Sequence, residues 1–348
     1  MSKADHVTAR EVVAVLGGGS FGTAIASILA ENGHEARLWV RDPETAAAIN
    51  LDRENTRYLP GAQLPSGVFA TDDLERALGG AALVFVAVPS GAFRQVLQQA
   101  HPWLSPDVVA VSCTKGIEAA GFSLMSQVLR EEWPQAHIGA LSGPNLAREI
   151  MERKFSGSVI ASEDPEVCRR IQEALSCGYF RVYDSPHVYA VELAGALKNI
   201  YAIATGMAAA LGVGDNTRAL LITRSLAEMS RFAHRLGGDP VAFLGLAGVG
   251  DLIVTCSSSL SRNYRLGWLV GQGRSLEEAR EELGQTAEGV NTVALVSEKA
   301  RELDVYMPIA AGLHRILFEG EPLQEVISGL MRGEHNHDVE FVAEHGQG

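Results

Sequence analysis

The sequence predicts an α/β protein, with a doubly wound, mostly parallel sheet in an amino-terminal domain and an all-helical carboxyl-terminal domain. Up to Asp184-Ser185-Pro186, short β-branched runs alternate with helix-forming segments, which is typical of a parallel sheet covered by helices on both faces. Beyond that point β-runs become rare, and Ala, Leu and Glu recur at helical spacing. A chain of 348 residues also exceeds one ordinary core, so we place the domains at 1–188 and 189–348.

Each predicted element follows from a local pattern. Short, mostly apolar runs that end in glycine, proline or polar residues predict strands at 11–16, 35–40, 81–88, 107–112 and 136–141. Helix-forming segments between these strands predict helices at 23–32, 71–78 and 92–99. In the second domain, helical spacing predicts helices at 188–211, 218–236 and 291–302.

The net charge of −13 limits the partners of the chain. An acidic protein repels phosphate backbones, so we expect no nucleic acid among its partners. A small anionic substrate would need a local cluster of cations, for which Lys115, Lys198 and Arg262 are the natural candidates.

Nothing in the chain predicts a membrane span or a secretory signal. The most apolar stretch, at 188–213, is interrupted by Glu192, Lys198 and Asn199, which would be costly in a bilayer. The first ten residues lack the apolar core of a signal peptide. The four cysteines form no C-x-x-C pair, so we expect a protein of the reducing cytoplasm.

A glycine-rich turn predicts a dinucleotide site. Gly17, Gly19 and Gly22 form G-x-G-x-x-G directly after the first predicted strand and before the first predicted helix. In this Rossmann-type arrangement one glycine makes the tight turn, another lets the backbone approach a pyrophosphate, and the helix amides hold its charge. An ordinary glycine-rich β–α turn is the alternative.

The end of the second predicted strand bears on the choice of dinucleotide. Domains specific for NAD usually carry an acidic residue there, which binds the ribose 2′-hydroxyl. This chain has Arg41 first and then Asp42, and a guanidinium suits a 2′-phosphate. We therefore expect NADP or NAD as cofactor, with NADP slightly favoured, unless Arg41 and Asp42 are only a surface pair.

Lys198 is the candidate acid/base. Reduction of a ketone needs a proton for the carbonyl oxygen, and a lysine supplies it well when burial lowers its pKa towards neutrality. Lys198 lies in a mostly apolar helical stretch, where an unpaired ammonium would be expensive. The alternatives are a lysine that reaches the surface, or one that pairs with Glu192 or another carboxylate to pack helices.

Other polar residues are weaker candidates by themselves. Lys115 follows a predicted strand end, the edge where open α/β sheets bind ligands. Asp251 could bind a substrate hydroxyl, orient Lys198 or cap a helix. Ser261, Arg262 and Asn263 are compact donors suited to a phosphate, although such triplets are also common in loops.

Two further patterns could suggest a metal site and a nucleophilic cysteine, but neither has the residues that such a site needs. The cluster of His335, His337 and His345 lacks the framework of a closed metal site, so we predict no metal. Cys256 has no base beside it in the sequence and is interpreted as structural.

Five segments, in order between residues 11 and 320, closely resemble the bacterial NAD(P)-dependent glycerol-3-phosphate dehydrogenases. They are Gly17-Gly18-Gly19-Ser20-Phe21-Gly22, Thr114-Lys115-Gly116, Ser142-Gly143-Pro144-Asn145-Leu146-Ala147, Glu192-Leu193-Ala194-Gly195-Ala196-Leu197-Lys198-Asn199, and Gly250-Asp251 leading to Ser261-Arg262-Asn263. The resemblance implies hydride transfer between NAD(P)H and dihydroxyacetone phosphate to give sn-glycerol 3-phosphate, reversibly, for glycerophospholipid synthesis. It also implies a homodimer.

The resemblance further implies roles for single residues, with Lys198 as the catalytic proton acceptor. The cofactor would contact Gly17, Gly19, Ser20, Phe21, Gly22, Arg41, Lys115, Ala147, Arg262, Thr286 and Glu288. The substrate would contact Lys115, Gly143, Asn145, Lys198, Asp251, Ser261, Arg262 and Asn263. Three positions depart from the family pattern: Asn145 where Ser or Thr is usual, Thr286 where an aliphatic residue is usual, and Phe21 in place of Tyr or Trp.

Two other functions compete with this one. The first is another two-domain dehydrogenase with a helical second domain, of the 3-hydroxyacid or 6-phosphogluconate type, against which Thr114-Lys115-Gly116 and Ser261-Arg262-Asn263 argue. The second is a sensor that binds a dinucleotide without turning it over. A sensor has no need of a buried proton donor, so Lys198 argues against it.

Overall fold

The computed structural model describes residues 10–284 and 287–332. The chain divides into two compact units, the first ending at Glu192 and the second beginning at Leu193. In the part of the chain that is described, every strand lies in the first unit, and the second unit is helical. The predicted fold class is therefore confirmed.

The first unit is built on an eight-stranded sheet with the strand order β10-β9-β8-β5-β4-β1-β2-β3. Every pair in this sheet is parallel except β8 with β9, which is antiparallel, and β6 with β7 forms a separate antiparallel hairpin. The strands are β1 Val12–Leu16, β2 Glu35–Trp39, β3 Val68–Thr71, β4 Leu83–Val86, β5 Val109–Ser112, β6 Ile117–Glu118, β7 Ser123–Leu124, β8 His137–Ser142, β9 Ser156–Ala161 and β10 Phe180–Ser185.

The strand order creates a crevice beside β1. From β1 the chain runs outwards through β2 to β3, and then returns to place β4 on the other side of β1. At such a point the connections leave in opposite directions, and a crevice opens at the carboxyl ends of the two strands. The glycine-rich turn, which follows Leu16, lies at this point.

Helices cover both faces of the sheet. Side chains alternate along β1, so Val13 and Val15 join one buried cluster while Ala14 and Leu16 join the other. This explains why the central strands β1, β4 and β5 are almost entirely apolar instead of alternating with polar residues. The helices of this unit are α1 Ser20–Glu31, α2 Pro43–Asp52, α3 Leu74–Leu78, α4 Ser90–Ala100, α5 Met125–Glu132, α6 Ala147–Met151 and α7 Pro165–Leu175.

The second unit packs its helices closely around α8, which starts at Val188, just before the division between the units. A Cβ on Gly206 would lie 2.1 Å from the carbonyl oxygen of Tyr264, and one on Gly267 would lie 2.0 Å from that of Ile203. The two glycines thus let α8 and α11 meet backbone to backbone. The helices are α8 Val188–Ala210, α9 Asp215–Arg235, α10 Asp251–Ser257, α11 Arg262–Gly271, α12 Leu276–Leu283, α13 Glu288–Glu302, α14 Pro308–His314 and α15 Leu323–Arg332. No helix among the described residues is long and apolar enough to cross a membrane.

Candidate active site

The glycines of the turn have different physical reasons to be glycine. Gly17 has φ 120°, and a Cβ there would lie 2.6 Å from the carbonyl oxygen of Ala87. A Cβ on Gly22 would lie 2.0 Å from the carbonyl oxygen of Gly17. A Cβ on Gly19 would meet nothing within 4 Å. Gly17 and Gly22 are therefore required by the turn and its packing, whereas Gly19 leaves open space at the start of α1, as the approach of a pyrophosphate requires.

The first two residues of α1, Ser20 and Phe21, make contacts within the protein. The Ser20 hydroxyl donates a hydrogen bond to the carbonyl oxygen of Tyr58, at 3.0 Å. Phe21 is partly buried and packs against the buried cluster that includes Val13 and Val15. Both lie at the turn, and contact of either with a dinucleotide stays a prediction.

Arg41 and Asp42 follow β2 and have separate environments. The Asp42 carboxylate caps α2 and accepts hydrogen bonds from the backbone amides of Glu44 and Thr45, at 3.3 and 3.2 Å. The Thr45 hydroxyl also donates to it, and these bonds, the hydroxyl first, hold the pKa of Asp42 below its usual range. Arg41 is exposed. The carboxylate is thus engaged in a helix cap, and the guanidinium is the group presented to solvent after β2.

Lys115 lies at the carboxyl edge of the sheet. It follows β5 by three residues, and Gly143 directly follows the neighbouring strand β8, so the sheet brings the two together. The Lys115 Nζ donates a hydrogen bond of 2.8 Å to the carbonyl oxygen of Gly143. Gly143 has φ 139°, and a Cβ there would approach the Cα of Ser158 to 3.1 Å. The glycine is required for this close approach, and its carbonyl holds the lysine.

Asn145 carries a buried acceptor beside Lys115 and Gly143 in the fold. Its Nδ2 donates to the hydroxyl of Ser158 at 3.1 Å, and this hydroxyl donates to the carbonyl oxygen of Ser142 at 2.9 Å. Its Oδ1 is buried and has no hydrogen-bond partner among the described residues. A ligand with a hydroxyl group could satisfy this oxygen, so an amide is compatible with the substrate contact expected at a position where Ser or Thr is usual. Ala147, the first residue of α6, is half-buried.

Lys198 is the central polar group of the second unit. It is 6% exposed, and its Nζ lies 2.5 Å from Oδ1 of Asp251 and 2.7 Å from Oγ1 of Thr255. The lysine therefore does not reach the surface, and the carboxylate it meets is that of Asp251. Asp251 is thus placed to orient Lys198, and its contact with the substrate stays a prediction.

Glu192 is held by the backbone at the start of α5. Its carboxylate accepts hydrogen bonds from the backbone amide of Ser126, at 3.0 and 3.3 Å. Burial raises the pKa of Glu192 to about 7, against the opposing effect of these hydrogen bonds. The sequence alternative allowed Lys198 to pair with Glu192 or another carboxylate, and the carboxylate that the structure shows at its Nζ is that of Asp251.

The sequence prediction missed Thr255. Its hydroxyl lies 3.3 Å from Oδ1 of Asp251 and is 2.7 Å from Nζ of Lys198, so the three groups form one buried polar cluster. The sequence feature that could have revealed Thr255 is its spacing of four residues from Asp251, which places both side chains on one face of a helix. A threonine in an apolar run has no chemistry of its own that would have singled it out.

Ser261, Arg262 and Asn263 start helix α11 instead of forming a loop. The Ser261 hydroxyl caps the helix and accepts from the amide of Tyr264 at 3.3 Å, and Arg262 is exposed in the first turn. Asn263 is buried: its Nδ2 donates to Oδ1 of Asn199 at 2.9 Å, and its Oδ1 accepts from the amide of Gly289 at 3.0 Å. The asparagine thus joins the starts of α11 and α13 to α8, next to Lys198.

Of the remaining residues considered in the sequence, the structure describes Glu288 and Cys256. Glu288 begins α13 and is partly exposed. Thr286 and the histidines at 335, 337 and 345 lie outside the described residues. Cys256 is fully buried, and burial raises the pKa of its thiol to about 12, so the reactive thiolate is disfavoured as its structural interpretation requires.

Two family models match the chain in succession. The model for the amino-terminal part of NAD-dependent glycerol-3-phosphate dehydrogenase matches residues 12–168, and the model for the carboxyl-terminal part matches residues 187–328. The chain belongs to this family. The resemblance found in the sequence is thereby confirmed.

Relatives within the glycerol-3-phosphate dehydrogenase family match over nearly their whole length. A glycerol-3-phosphate dehydrogenase [NAD(P)+] of Alcanivorax borkumensis is 66% identical, over 94% of this chain and 96% of its own. One of Pseudomonas aeruginosa is 58% identical, over 97% and 98%. The crystal structure of the Coxiella burnetii enzyme has a TM-score of 0.89 at 35% identity and covers 93% of this chain and 99% of its own.

Family membership decides against the competing dehydrogenases. A ketopantoate reductase of Ralstonia eutropha also resembles the chain, with a TM-score of 0.58, but at 19% identity this likeness shows the fold alone. The interpretation as a 3-hydroxyacid or 6-phosphogluconate type of enzyme is therefore wrong for this glycerol-3-phosphate dehydrogenase family member.

Proposed function

We propose that the protein reduces dihydroxyacetone phosphate to sn-glycerol 3-phosphate, reversibly, with NADPH or NADH, and supplies glycerophospholipid synthesis. The observation that carries the proposal is the buried cluster of Lys198, Asp251 and Thr255 in a chain of this family. A reduced nicotinamide, when bound, supplies the hydride. The protein must supply the proton, the charge stabilisation and the site for the phosphate.

Lys198 is assigned the proton transfer. In the direction of reduction its ammonium donates a proton to the carbonyl oxygen as this becomes an alkoxide, and in oxidation the neutral amine takes the proton back. Asp251, 1% exposed, holds the Nζ in place, and the Thr255 hydroxyl occupies a second direction around it. A donor that is already held where charge develops stabilises the transition state strongly, because it does not have to reorganise during the reaction.

Positive groups offset the −13 charge of the chain around the substrate. Arg262 lies in the first turn of α11, where backbone amides and the helix dipole also favour an anion, so we assign it to the phosphate together with Ser261 and Asn263. Lys115 is assigned to both substrate and cofactor, and Gly143 and Asn145 to the substrate.

The dinucleotide is assigned to residues of the glycine-rich turn and to single residues farther along the chain. They are Gly17, Gly19, Ser20, Phe21, Gly22, Arg41, Lys115, Ala147, Arg262, Thr286 and Glu288. In this proposal the domain at 1–188 binds the dinucleotide and the domain at 189–348 carries the proton transfer and the substrate site.

Arg41 should favour NADP. Its exposed guanidinium can pair with a 2′-phosphate, whereas the carboxylate of Asp42 is engaged in the cap of α2. We expect Arg41→Glu to lower the ratio of kcat/KM for NADPH to that for NADH by about tenfold or more, since a charge-assisted bond is replaced by repulsion. Steady-state kinetics with both dinucleotides measure this ratio. An unchanged ratio would remove Arg41 from the site.

The reaction itself is tested by the loss of nicotinamide absorbance when the purified protein is mixed with NADPH or NADH and dihydroxyacetone phosphate. We expect rapid oxidation that dihydroxyacetone, which lacks the phosphate, does not reproduce. Equal rates with both ketones would contradict the phosphate site. Dinucleotide binding without oxidation would favour the sensor, and absence of binding would contradict the proposal as a whole.

We further propose that the protein is a cytoplasmic homodimer. All four cysteines are free, which fits a reducing compartment. The second unit exposes Leu220, Val241 and Leu244, the last two to more than 60%, and exposed apolar side chains of this size are suited to burial in an interface between two copies. Sedimentation equilibrium measures the oligomeric state, and a monomer at micromolar concentration would contradict the dimer.

A further inference from the structure

A compact loop between α2 and β3 lies against the glycine-rich turn. We call residues 53–64 the α2–β3 loop. The amide of Leu64 donates to the carbonyl oxygen of Arg53 at 2.7 Å, and the amide of Gly61 donates to Oε1 of Glu54, also at 2.7 Å. These bonds close the loop on itself, so a residue within it has a defined position.

Asn55 connects this loop to the turn. It is 1% exposed, and its Nδ2 donates one hydrogen bond to the carbonyl oxygen of Gly18 at 2.9 Å and one to the hydroxyl oxygen of Thr23 at 2.8 Å. A carbonyl oxygen can only accept, so the orientation of the amide is determined. Its Oδ1 is buried without a partner among the described residues, which costs stability and marks a polar group not retained for packing alone.

The turn cannot hold this peptide in one orientation by itself. Gly17, Gly18 and Gly19 are consecutive, and glycine has the widest range of backbone conformations, so the peptide between Gly18 and Gly19 needs a restraint from elsewhere. Tyr58, in the same loop, accepts from Ser20 on the other side of this peptide. The α2–β3 loop therefore holds the turn at two points.

The hydrogen bond to Gly18 determines the direction of the next amide. In a planar trans peptide the C=O and N–H groups point in opposite directions. Because the carbonyl of Gly18 is directed towards Asn55, the N–H of Gly19 is directed away from it. This N–H makes no backbone hydrogen bond among the described residues, and the space beside Gly19 is open.

We infer that Asn55 is a positioning residue for dinucleotide binding, which orients the Gly18–Gly19 peptide so that the Gly19 amide can donate to the pyrophosphate. The inference rests on the proposed function. Asn55 itself need not touch the dinucleotide. Because Asn55 restrains the three glycines before the dinucleotide binds, less conformational entropy is lost on binding.

The test compares Asn55→Ala with a matched control, Asn50→Ala. The Asn50 amide also makes two hydrogen bonds, to the carbonyl oxygen and the amide of Ala70, at 2.7 and 2.8 Å, but these hold α2 to β3. We expect Asn55→Ala to raise the Kd and KM for NADPH and for NADH roughly tenfold, with kcat and the KM for dihydroxyacetone phosphate changed less than about twofold. Asn50→Ala should lower the Tm comparably and leave the Kd unchanged.

A second variant separates the two bonds of Asn55. Thr23→Val removes the acceptor on α1 and leaves the bond to Gly18, so we expect its Kd for NADPH to equal that of wild type. A Kd raised as much as in Asn55→Ala would overturn the assignment to the Gly18 peptide. If Asn55→Ala does not fold, Asn55→Leu, which has a similar shape and no donor, replaces it and should show the same tenfold rise.

The outcomes distinguish the inference from the proposed function. Wild-type protein that binds neither NADPH nor NADH would contradict the proposed function. Wild-type binding with unchanged Kd in a folded Asn55 variant would overturn the inference alone. A rise in Kd in both Asn55→Ala and Asn50→Ala would also overturn it, because the effect would then follow general loss of stability.

Discussion

Lys198→Ala is expected to lower kcat by a factor of about 10²–10⁴ while the Kd for the dinucleotide stays nearly unchanged. In the proposed mechanism the buried lysine, 2.5 Å from Asp251, donates the proton, and alanine leaves no group that can take over this role. Stopped-flow or steady-state absorbance measures kcat, and nucleotide fluorescence measures Kd. A loss of less than about tenfold would show that Lys198 is not the acid/base.

The control for Lys198→Ala has to address stability. Removing the lysine leaves the carboxylate of Asp251, 1% exposed, without its cation, which typically costs about 3–5 kcal/mol for a buried pair. The double variant Lys198→Ala/Asp251→Asn removes both charges and should recover folding stability but no activity. Lys299→Ala, at a partly exposed ion pair with Glu302 on α13, should leave kcat unchanged.

Chemical rescue distinguishes proton transfer from packing. A small primary amine that enters the cavity left in Lys198→Ala should restore part of kcat, with a rate that depends on the pKa of the amine. Two results together would assign the proton transfer to Lys198. The double variant should regain stability without turnover, and an amine should restore turnover in the single variant. No rescue by any amine small enough to enter would favour a packing role.

The fold could be predicted where local pattern and tertiary structure agree. All five predicted strands exist, because each carries a buried apolar run, which is nearly continuous in the central strands β1, β4 and β5. Three strands of the main sheet were missed. β3 is a four-residue strand at one edge of the sheet, and β10 lies at the other edge and alternates buried and exposed residues. β9 starts with Ser156-Gly157-Ser158. In each, pairing with a neighbouring strand outweighs a weak local signal.

The candidate site could be predicted only in part, because some of its contacts join distant segments. Lys198 could be singled out because a lysine in an apolar helix requires a partner, and the structure shows the carboxylate of Asp251 at its Nζ. Asn263 looks in sequence like a free donor, yet its amide joins Asn199 and Gly289, which lie 64 and 26 residues away. Asn55 lies in a polar loop that gave no signal, and only its contact with Gly18 reveals its importance.

Glu228 should make folding stability depend on pH. It is 1% exposed, and its carboxylate accepts from the amides of Ile309 and Ala310, at 2.6 and 3.2 Å, and from the hydroxyl of Tyr201 at 3.2 Å. Burial raises its pKa from 4.5 to about 7, although these bonds and the charge of Arg231 oppose the rise. The folded state therefore binds its proton more tightly than the unfolded state.

The sign of the effect follows from this difference. Below pH 4.5 the carboxyl is protonated in both states, and its stabilising contribution is complete; as the pH rises to about 7 the unfolded state ionises first and this contribution is lost. At about 1.4 kcal/mol per pKa unit, the loss amounts to about 3 kcal/mol of the free energy of unfolding. Glu228→Gln cannot ionise, but it keeps only one carbonyl oxygen, for the amide of Ile309, and places an NH2 group where Oε2 accepts from Ala310 and Tyr201. That loss is the same at every pH, so we expect the stability of Glu228→Gln relative to wild type to rise by about 2–3 kcal/mol between pH 5 and pH 8.

Urea unfolding at pH 5, 6, 7 and 8 measures this difference, and only the comparison between variants is informative. Glu192 is also buried with a pKa raised to about 7, so wild type and Glu228→Gln share its contribution, which cancels in the difference. Glu281→Gln, at an exposed position on α12, is the matched control and should track wild type at every pH. A stability difference between Glu228→Gln and wild type that is the same at pH 5 and pH 8 would show that Glu228 does not titrate in this range. The Glu228 carboxyl would then keep one protonation state from pH 5 to pH 8 and would accept from the amides of Ile309 and Ala310 in that state throughout.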